Sequence, residues 1–303
     1  MEQHTIADEI RELAYKRDAV IIAHNYQRGE VQDIADFVGD SLGLARQAAH
    51  TPASVIVFAG VHFMAETAKI LSPFKTVLMP EPRAGCPMAD MMTATDLSAW
   101  RQANPGVPVV TYVNSTAAVK ALTDVCVTSA NAVDVVRSLG APRVLFGPDR
   151  NLASWVARSL PDVEIIAWDG FCPTHEQVSA TQLAKEQARH PGAEVIAHPE
   201  CRPEVVDMAD AVLSTSQMLC HVASSSAEEF IVVTEEGLLH GLAKAAPGKR
   251  FLNLEPRMIC PNMKVTTIEK VRDCLRDLSG EVVVPEEMRL AALASVEKMI
   301  AIG

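Results

Sequence analysis

The sequence predicts an α/β fold built from three similar three-layer αβα domains, their parallel sheets set around a pseudo-threefold axis. Three observations carry this reading. Cys-Pro dipeptides recur at Cys86-Pro87, Cys172-Pro173 and Cys260-Pro261, at intervals of 86 and 88 residues. That period is too long for a solenoid repeat and suits a minimal doubly wound unit. Short apolar runs rich in β-branched residues alternate with stretches of helical periodicity, the pattern of successive βαβ units. The chain is 49% hydrophobic but only 5% aromatic, so its core is aliphatic, as fully buried parallel strands require.

Taken in order, residues 1–18 form a charged amphipathic helix with none of the features of a secretory leader. The first unit offers strands at 19–25, 54–60 and 76–80 ahead of Gly85-Cys86-Pro87, with helical periodicity over 30–50. The second offers strands at 107–114, 142–149 and 163–170 ahead of Phe171-Cys172-Pro173. The third offers strands at 193–200, 209–217 and 249–256 ahead of Ile259-Cys260-Pro261. The expected division is 1–104, 105–190 and 191–303, the last including a C-terminal helix.

Lys and Arg number 27 against 38 Asp and Glu, a net charge of −11. Nucleic acid is therefore an unfavourable partner, although an anionic small molecule is not excluded, because a local field can oppose the global one. No apolar stretch reaches membrane-spanning length. Seven cysteines without an export signal read as reduced thiols in the cytoplasm.

In parallel sheets, ligands bind beyond the carboxyl ends of the strands. Polar residues gather there in each unit: His24-Asn25-Tyr26, Tyr112-Val113-Asn114 and His198-Pro199-Glu200. Facing carboxyl ends would bring these groups and the three thiols to one central cavity. Three isolated cysteines, with no C-x-x-C pair anywhere, disfavour a zinc ribbon. They suit a cluster at a domain junction with one iron left open, since a [4Fe–4S] cluster ordinarily takes four thiolates. Simple packing of buried thiols is the alternative. Cys126, Cys201 and Cys274 read as packing thiols, Cys126 and Cys274 on helices. His24, His175 and His198 sit in strand-end loops, whereas His4, His50 and His240 read as surface positions. Glu200 beside His198 is a candidate general base. Ser41, Ser129, Ser214 and Thr215 stand at helix starts, where hydroxyls either cap or join an anion pocket. No nucleotide-binding glycine loop is present.

The segments AHNYQ (23–27), FAGVHFMAETAKIL (58–71), AGCPMADM (84–91), TYVNSTAAVKA (111–121), GPDRNLA (147–153), GFCPTHE (170–176), HPEC (198–201), STSQM (214–218), TEEGLLH (234–240) and CPNMK (260–264) resemble the quinolinate synthase family, in order and over nearly the whole chain. The resemblance implies three αβα domains and one [4Fe–4S] cluster per chain on Cys86, Cys172 and Cys260, its fourth iron open to substrate as a Lewis acid. It implies condensation of iminosuccinate (iminoaspartate) with dihydroxyacetone phosphate to quinolinate, phosphate and two waters, in de novo NAD biosynthesis. An aspartate-oxidising enzyme would supply the first substrate transiently. Carried over position by position, substrate would meet His24, Ser41, Tyr112, Val113, Asn114, Ser129, His198, Pro199, Glu200 and Thr215. Catalysis would fall to Glu200, His198, Tyr26, Tyr112 and His175. Some members carry extra cysteines beside the third ligand, where this chain has Arg257 and Met263, so no disulfide switch is expected there. A cluster-dependent hydro-lyase and a non-catalytic cluster- or zinc-binding anion sensor are the rival readings.

Overall fold

A computed structural model describes residues 5–302; His4 lies outside them. Among the described residues, twelve strands form three parallel four-stranded sheets. The first contains β1 (Ala19–His24), β2 (Phe37–Gly39), β3 (Val55–Ala59) and β4 (Thr76–Leu78) in the order β2-β1-β3-β4. The second contains β5 (Val109–Tyr112), β6 (Val125–Val127), β7 (Arg143–Gly147) and β8 (Glu164–Ala167) in the order β6-β5-β7-β8. The third contains β9 (Glu194–Ala197), β10 (Ala211–Val212), β11 (Glu229–Val233) and β12 (Arg250–Leu252) in the order β10-β9-β11-β12. The strand order is thus the same three times over.

Burial follows the two-residue period of the strands. Ile22, Ile56 and Phe58 of the first sheet, Val110, Val144 and Phe146 of the second, and Ile196, Phe230 and Val232 of the third all join one continuous apolar core. The alternate residues enter separate clusters: Ile21, Val55 and Val57 in one, Val109 and Leu145 in another, and Val195, Ile231 and Val233 in a third. Each sheet is therefore covered on both faces. One face of each looks into a core shared by all three, which holds the sheets against one another.

Three differences from the expected elements have physical causes. The helical run over 30–50 is broken by β2, so that helices Gly29–Ile34 and Ser41–His50 flank a three-residue edge strand. Phe37-Val38 have strand preference, and Asp40 caps the second helix by accepting from the Gly43 amide at 2.8 Å. Strand β6 is likewise an edge element too short for local periodicity to mark. In the third unit the expected strand at 209–217 shrinks to β10, because Ser214 caps a helix that begins at Thr215. The central partner of β9 is instead Glu229–Val233, which a three-strand unit leaves no place for.

The C-terminal segment leaves the third sheet. Helix Ile268–Asp277 packs Val271, Cys274 and Leu275 on Ile21 and Val57 of the first. Residues 280–282 then pair with the edge of β4: the Met79 amide donates to Gly280 O, and the Val282 amide to Val77 O, each at 2.8 Å. Gly280 holds φ +78°, and a Cβ there would meet Met79 O at 2.1 Å, so only glycine fits. Helix Glu286–Ala301 buries Ala292, Val296 and Met299 in the shared core. It also bridges units: Asn131 Nδ2 donates to Met299 O at 2.9 Å and Arg46 Nε to Ile300 O at 2.9 Å.

Cys126 lies on β6 rather than on a helix and is buried, as is the helical Cys274. Cys201 is buried in the apolar cluster that covers one face of β9 and β11, and its Sγ lies 3.5 Å from Val233 O. His50 is exposed. His240 is not a plain surface residue, since its Nε2 sits 2.7 Å from Asp33 of the first unit.

Glu81, just past β4, receives Arg83 at 3.0 Å and Lys270 of helix Ile268–Asp277 at 2.7 Å. Hydrogen bonds from Arg83 and then Lys270 hold its carboxyl down at about 2. A carboxyl depressed in the folded state stabilises above the unfolded value of 4.5, and that contribution fades as pH falls from there towards 2. Glu81→Gln is expected to lower stability at pH 7 by about 1 kcal/mol, with the partners largely solvent-screened. In paired denaturant titrations the gap to the parent should close as pH approaches 2; a gap independent of pH would refute the assignment.

Candidate active site

The three sheets direct their carboxyl ends to one cavity. Its wall includes His24, Tyr26, Ser41, Cys86, Tyr112, Asn114, Ser129, Cys172, His175, His198, Glu200, Thr215 and Cys260. Equivalent points of the three units supply these groups. The ends of β1, β5 and β9 give His24 to Tyr26, Tyr112 to Asn114, and His198 to Glu200. The ends of the edge strands give Ser41, Ser129 and Thr215. The segments after β4, β8 and β12 give Cys86, Cys172 and Cys260, each followed by a single helical turn that starts at its proline.

The choice of capping residue settles what the hydroxyls do. Asp40 and Ser214 cap their helices, which releases the next residues, Ser41 and Thr215, to the cavity wall. Thr215 Oγ1 accepts from Asn25 Nδ2 of the first unit at 2.9 Å. Val113 and Pro199 are buried but do not line the wall. The Val113 amide donates to Val127 O at 2.8 Å.

Two histidines share one local motif. The amide two residues on donates to the ring Nδ1, Tyr26 N to His24 at 3.1 Å and Glu200 N to His198 at 3.3 Å. Nδ1 is therefore the acceptor, and the proton of each neutral ring lies on Nε2. Burial pushes His24 down to about 4 and His198 to about 3, so both are neutral near pH 7 and present Nε2–H donors. His198 Nε2 lies 3.1 Å from Ser129 Oγ.

Glu200 is 4% exposed, and burial alone would raise its carboxyl. His175, His198 and the Tyr112 hydroxyl outweigh burial and keep it below the usual carboxylate range. His175 Nδ1 is 2.8 Å from Glu200 Oε2 and 3.1 Å from Cys172 Sγ. On the other side, His175 Nε2 reaches Thr234 Oγ1 at 2.9 Å, and Thr234 Oγ1 reaches the Tyr26 hydroxyl at 2.6 Å. A continuous polar chain thus runs Glu200–His175–Thr234–Tyr26. Burial and then the Glu200 charge raise both Tyr26 and Tyr112, so the phenols stay protonated as donors. Asn114 Oδ1 is a buried acceptor without a protein partner among the described residues.

Cys172, His175 and Glu200 place their ligand atoms within 4.8 Å of one another, and Cys86 and Cys260 line the same cavity. Burial pushes Cys86 up to about 12, with Glu200 and Cys260 adding to it, and lifts Cys172 and Cys260 as well. Several thiolates and a carboxylate in one dry site repel one another unless a cation takes their charge, so the donor set fits a thiolate-bound metal centre.

Several residues escaped sequence reasoning. Thr234 and Glu235 follow β11, which was itself unassigned, and Asp149 follows β7; all are fully buried. Phe63, Met64 and Met263 form apolar wall. The signal for Thr234 and Glu235 was present in the run EFIVV that ends before them.

Comparison with known proteins identifies the family of the chain. The family described as "NadA: Quinolinate synthetase A protein" matches residues 8–301. A protein named quinolinate synthase from Geobacter metallireducens is 53% identical over 302 residues, covering 100% of this chain and 99% of that one. Another from Thermodesulfovibrio yellowstonii is 50% identical over 293 residues, 97% of each. Quinolinate synthase 1 of Methanosarcina acetivorans is 50% identical over 302 residues, 100% of this chain and 99% of its own. With a family match over nearly its full length and relatives of this similarity, the chain belongs to the quinolinate synthetase A protein family.

Proposed function

We propose that this chain is a quinolinate synthase that condenses iminosuccinate with dihydroxyacetone phosphate, releasing phosphate and two waters. The observation that carries the reading is the convergence on one cavity of three thiols, a buried Glu200 with its imidazole partners, and the hydroxyls of Ser41, Ser129 and Thr215. Cys86, Cys172 and Cys260 would hold one [4Fe–4S] cluster, which when bound supplies Lewis acidity for the loss of hydroxyl from carbon.

The chain's own residues divide the remaining work. Neutral His24 and His198 present Nε2–H to substrate carboxylates. Ser41 and Thr215 are the first residues of their helices, where free backbone N–H groups favour a phosphate or carboxylate. Ser129, expected at a helix start, lies instead in the turn between β6 and a helix with Asn131 at its N-cap, and adds its hydroxyl from there. Val113 and Pro199 shape the loops that carry their neighbours. The Asn114 Oδ1 acceptor suits an imine or hydroxyl donor of the substrate. Glu200 takes protons, and His175 beside it and Tyr26 through Thr234 can pass them on. Tyr112, which shares the cavity wall with Glu200 and stays protonated beside its charge, is a second proton donor. Apolar Phe63, Met64, Met88 and Met263 keep the wall dry, which strengthens each of these interactions.

The division into units 1–104, 105–190 and 191–303 belongs to the same reading. So do a cytoplasmic location and a supply of unstable iminosuccinate from an aspartate-oxidising enzyme. No described helix is long and apolar enough to cross a membrane, and every described cysteine is free.

Anaerobic reconstitution is expected to give a brown protein with about four irons per chain, the content of one such cluster. Cys86→Ser, Cys172→Ser and Cys260→Ser should each lose the cluster absorbance; a full complement of iron in all three would sink the ligand assignment. With iminosuccinate and dihydroxyacetone phosphate supplied without oxygen, loaded protein should form quinolinate. Loaded protein that forms none would refute the substrate assignment. Glu200→Gln should keep its iron while turnover drops about 10²- to 10⁴-fold, the range for removing a general base. Undiminished turnover would remove Glu200 from that role.

A further inference from the structure

The three units differ at the second residue after the third-positioned strand of each sheet, that is, after β3, β7 and β11. Three backbone bonds fix the correspondence: His62 N to Ala84 O, Arg150 N to Gly170 O and Glu236 N to Met258 O, each 2.8 Å. In every case the acceptor lies two residues before the cysteine of the cavity. The residue just before each donor is Val61, Asp149 and Glu235.

In the second unit, Asp149 Oδ2 accepts from the Cys172 amide at 2.8 Å. Its Oδ1 caps helix Arg150–Ser159, accepting from Asn151 N at 2.6 Å and Leu152 N at 2.9 Å. In the third, Glu235 Oε1 accepts from the Cys260 amide at 3.0 Å and Oε2 from the Gly237 amide at 2.7 Å. Lys264 neutralises Glu235 at 2.9 Å and continues to Tyr26 O of the first unit at 2.7 Å. Both acids are fully buried. In the first unit, Val61 stands there and has no polar side chain.

We infer that Asp149 and Glu235 are positioning residues for the thiol centre, each tying the backbone of one metal-ligand loop to the sheet behind it, while the Cys86 loop lacks this tether. A buried carboxylate spent on a cysteine amide is costly unless the bond has a use. Here it sets where the thiol stands relative to the end of the sheet. The tether depends on oxygen lone pairs and not on a change of protonation. The inference rests on the cluster reading above only for its consequence, since the loop geometry exists without metal.

Asp149 permits a clean test because its two oxygens do different jobs. Serine keeps the helix cap but is too short to reach Cys172, and Asp149→Asn is a nearly isosteric second variant. Amide hydrogen exchange, followed by mass spectrometry on metal-free reduced protein, should show about tenfold faster exchange at Cys172 in Asp149→Ser. Peptides covering β5 and β7 should stay at the parent rate. In reconstituted protein, iron release to a ferrous chelator should also rise about tenfold. Exchange at Cys172 within twofold of the parent in both variants would overturn the inference. So would a uniform rise across the second sheet, or failure of both variants to fold, because the carboxylate would then serve the whole unit rather than the loop. Parent protein that takes up no iron would refute the cluster reading, leaving the exchange measurement to decide the tether.

Discussion

Parallel strands impose one constraint from which the rest of this molecule follows. Every loop after a strand emerges at the same end of its sheet, so each sheet has a chemically active edge and a silent one. Three sheets of identical strand order, sharing a core along one face of each, bring three active edges to one cavity. The shared core does the holding. A smaller apolar face on any one sheet would leave its unit free to turn away, and the three thiols would part.

That gathering concentrates groups that burial would otherwise disfavour. Glu200 remains ionised because two imidazoles and a phenol face it. His24 and His198 remain neutral because burial disfavours their charged forms by more than the Glu200 carboxylate repays. A carboxylate able to take a proton thus sits beside His24 and His198 as neutral hydrogen-bond donors. The pseudo-symmetry has been broken residue by residue to reach this state. At the end of the first strand of each unit, the third residue is Tyr26, Asn114 and Glu200, a donor, an amide and a base at one structural point.

The sheet skeleton was largely legible. Aliphatic runs such as AVIIAHN and SVIVFAG are buried on both faces and need no tertiary knowledge to be read as strands. The Cys-Pro period located the third loop of each unit. Strands β2 and β6 were illegible, and β10 was read too long, because two or three residues carry no periodicity and become strands only by pairing with a longer neighbour. The site was partly legible for the same reason: residues at the ends of strong strands could be named, while Thr234 and Glu235 depended on a strand assigned elsewhere.

The sequence by itself determined the fold class, the threefold repetition and the chemical types at each strand end, because these are written in local pattern and period. Only the tertiary structure decided which of those residues meet. His175 stands between Glu200 and Thr234 through contacts 25 and 59 residues away in the chain, and the C-terminal helices cross back to the first unit. Such meetings depend on how whole faces pack, a property of the assembled layers that no local window of residues contains.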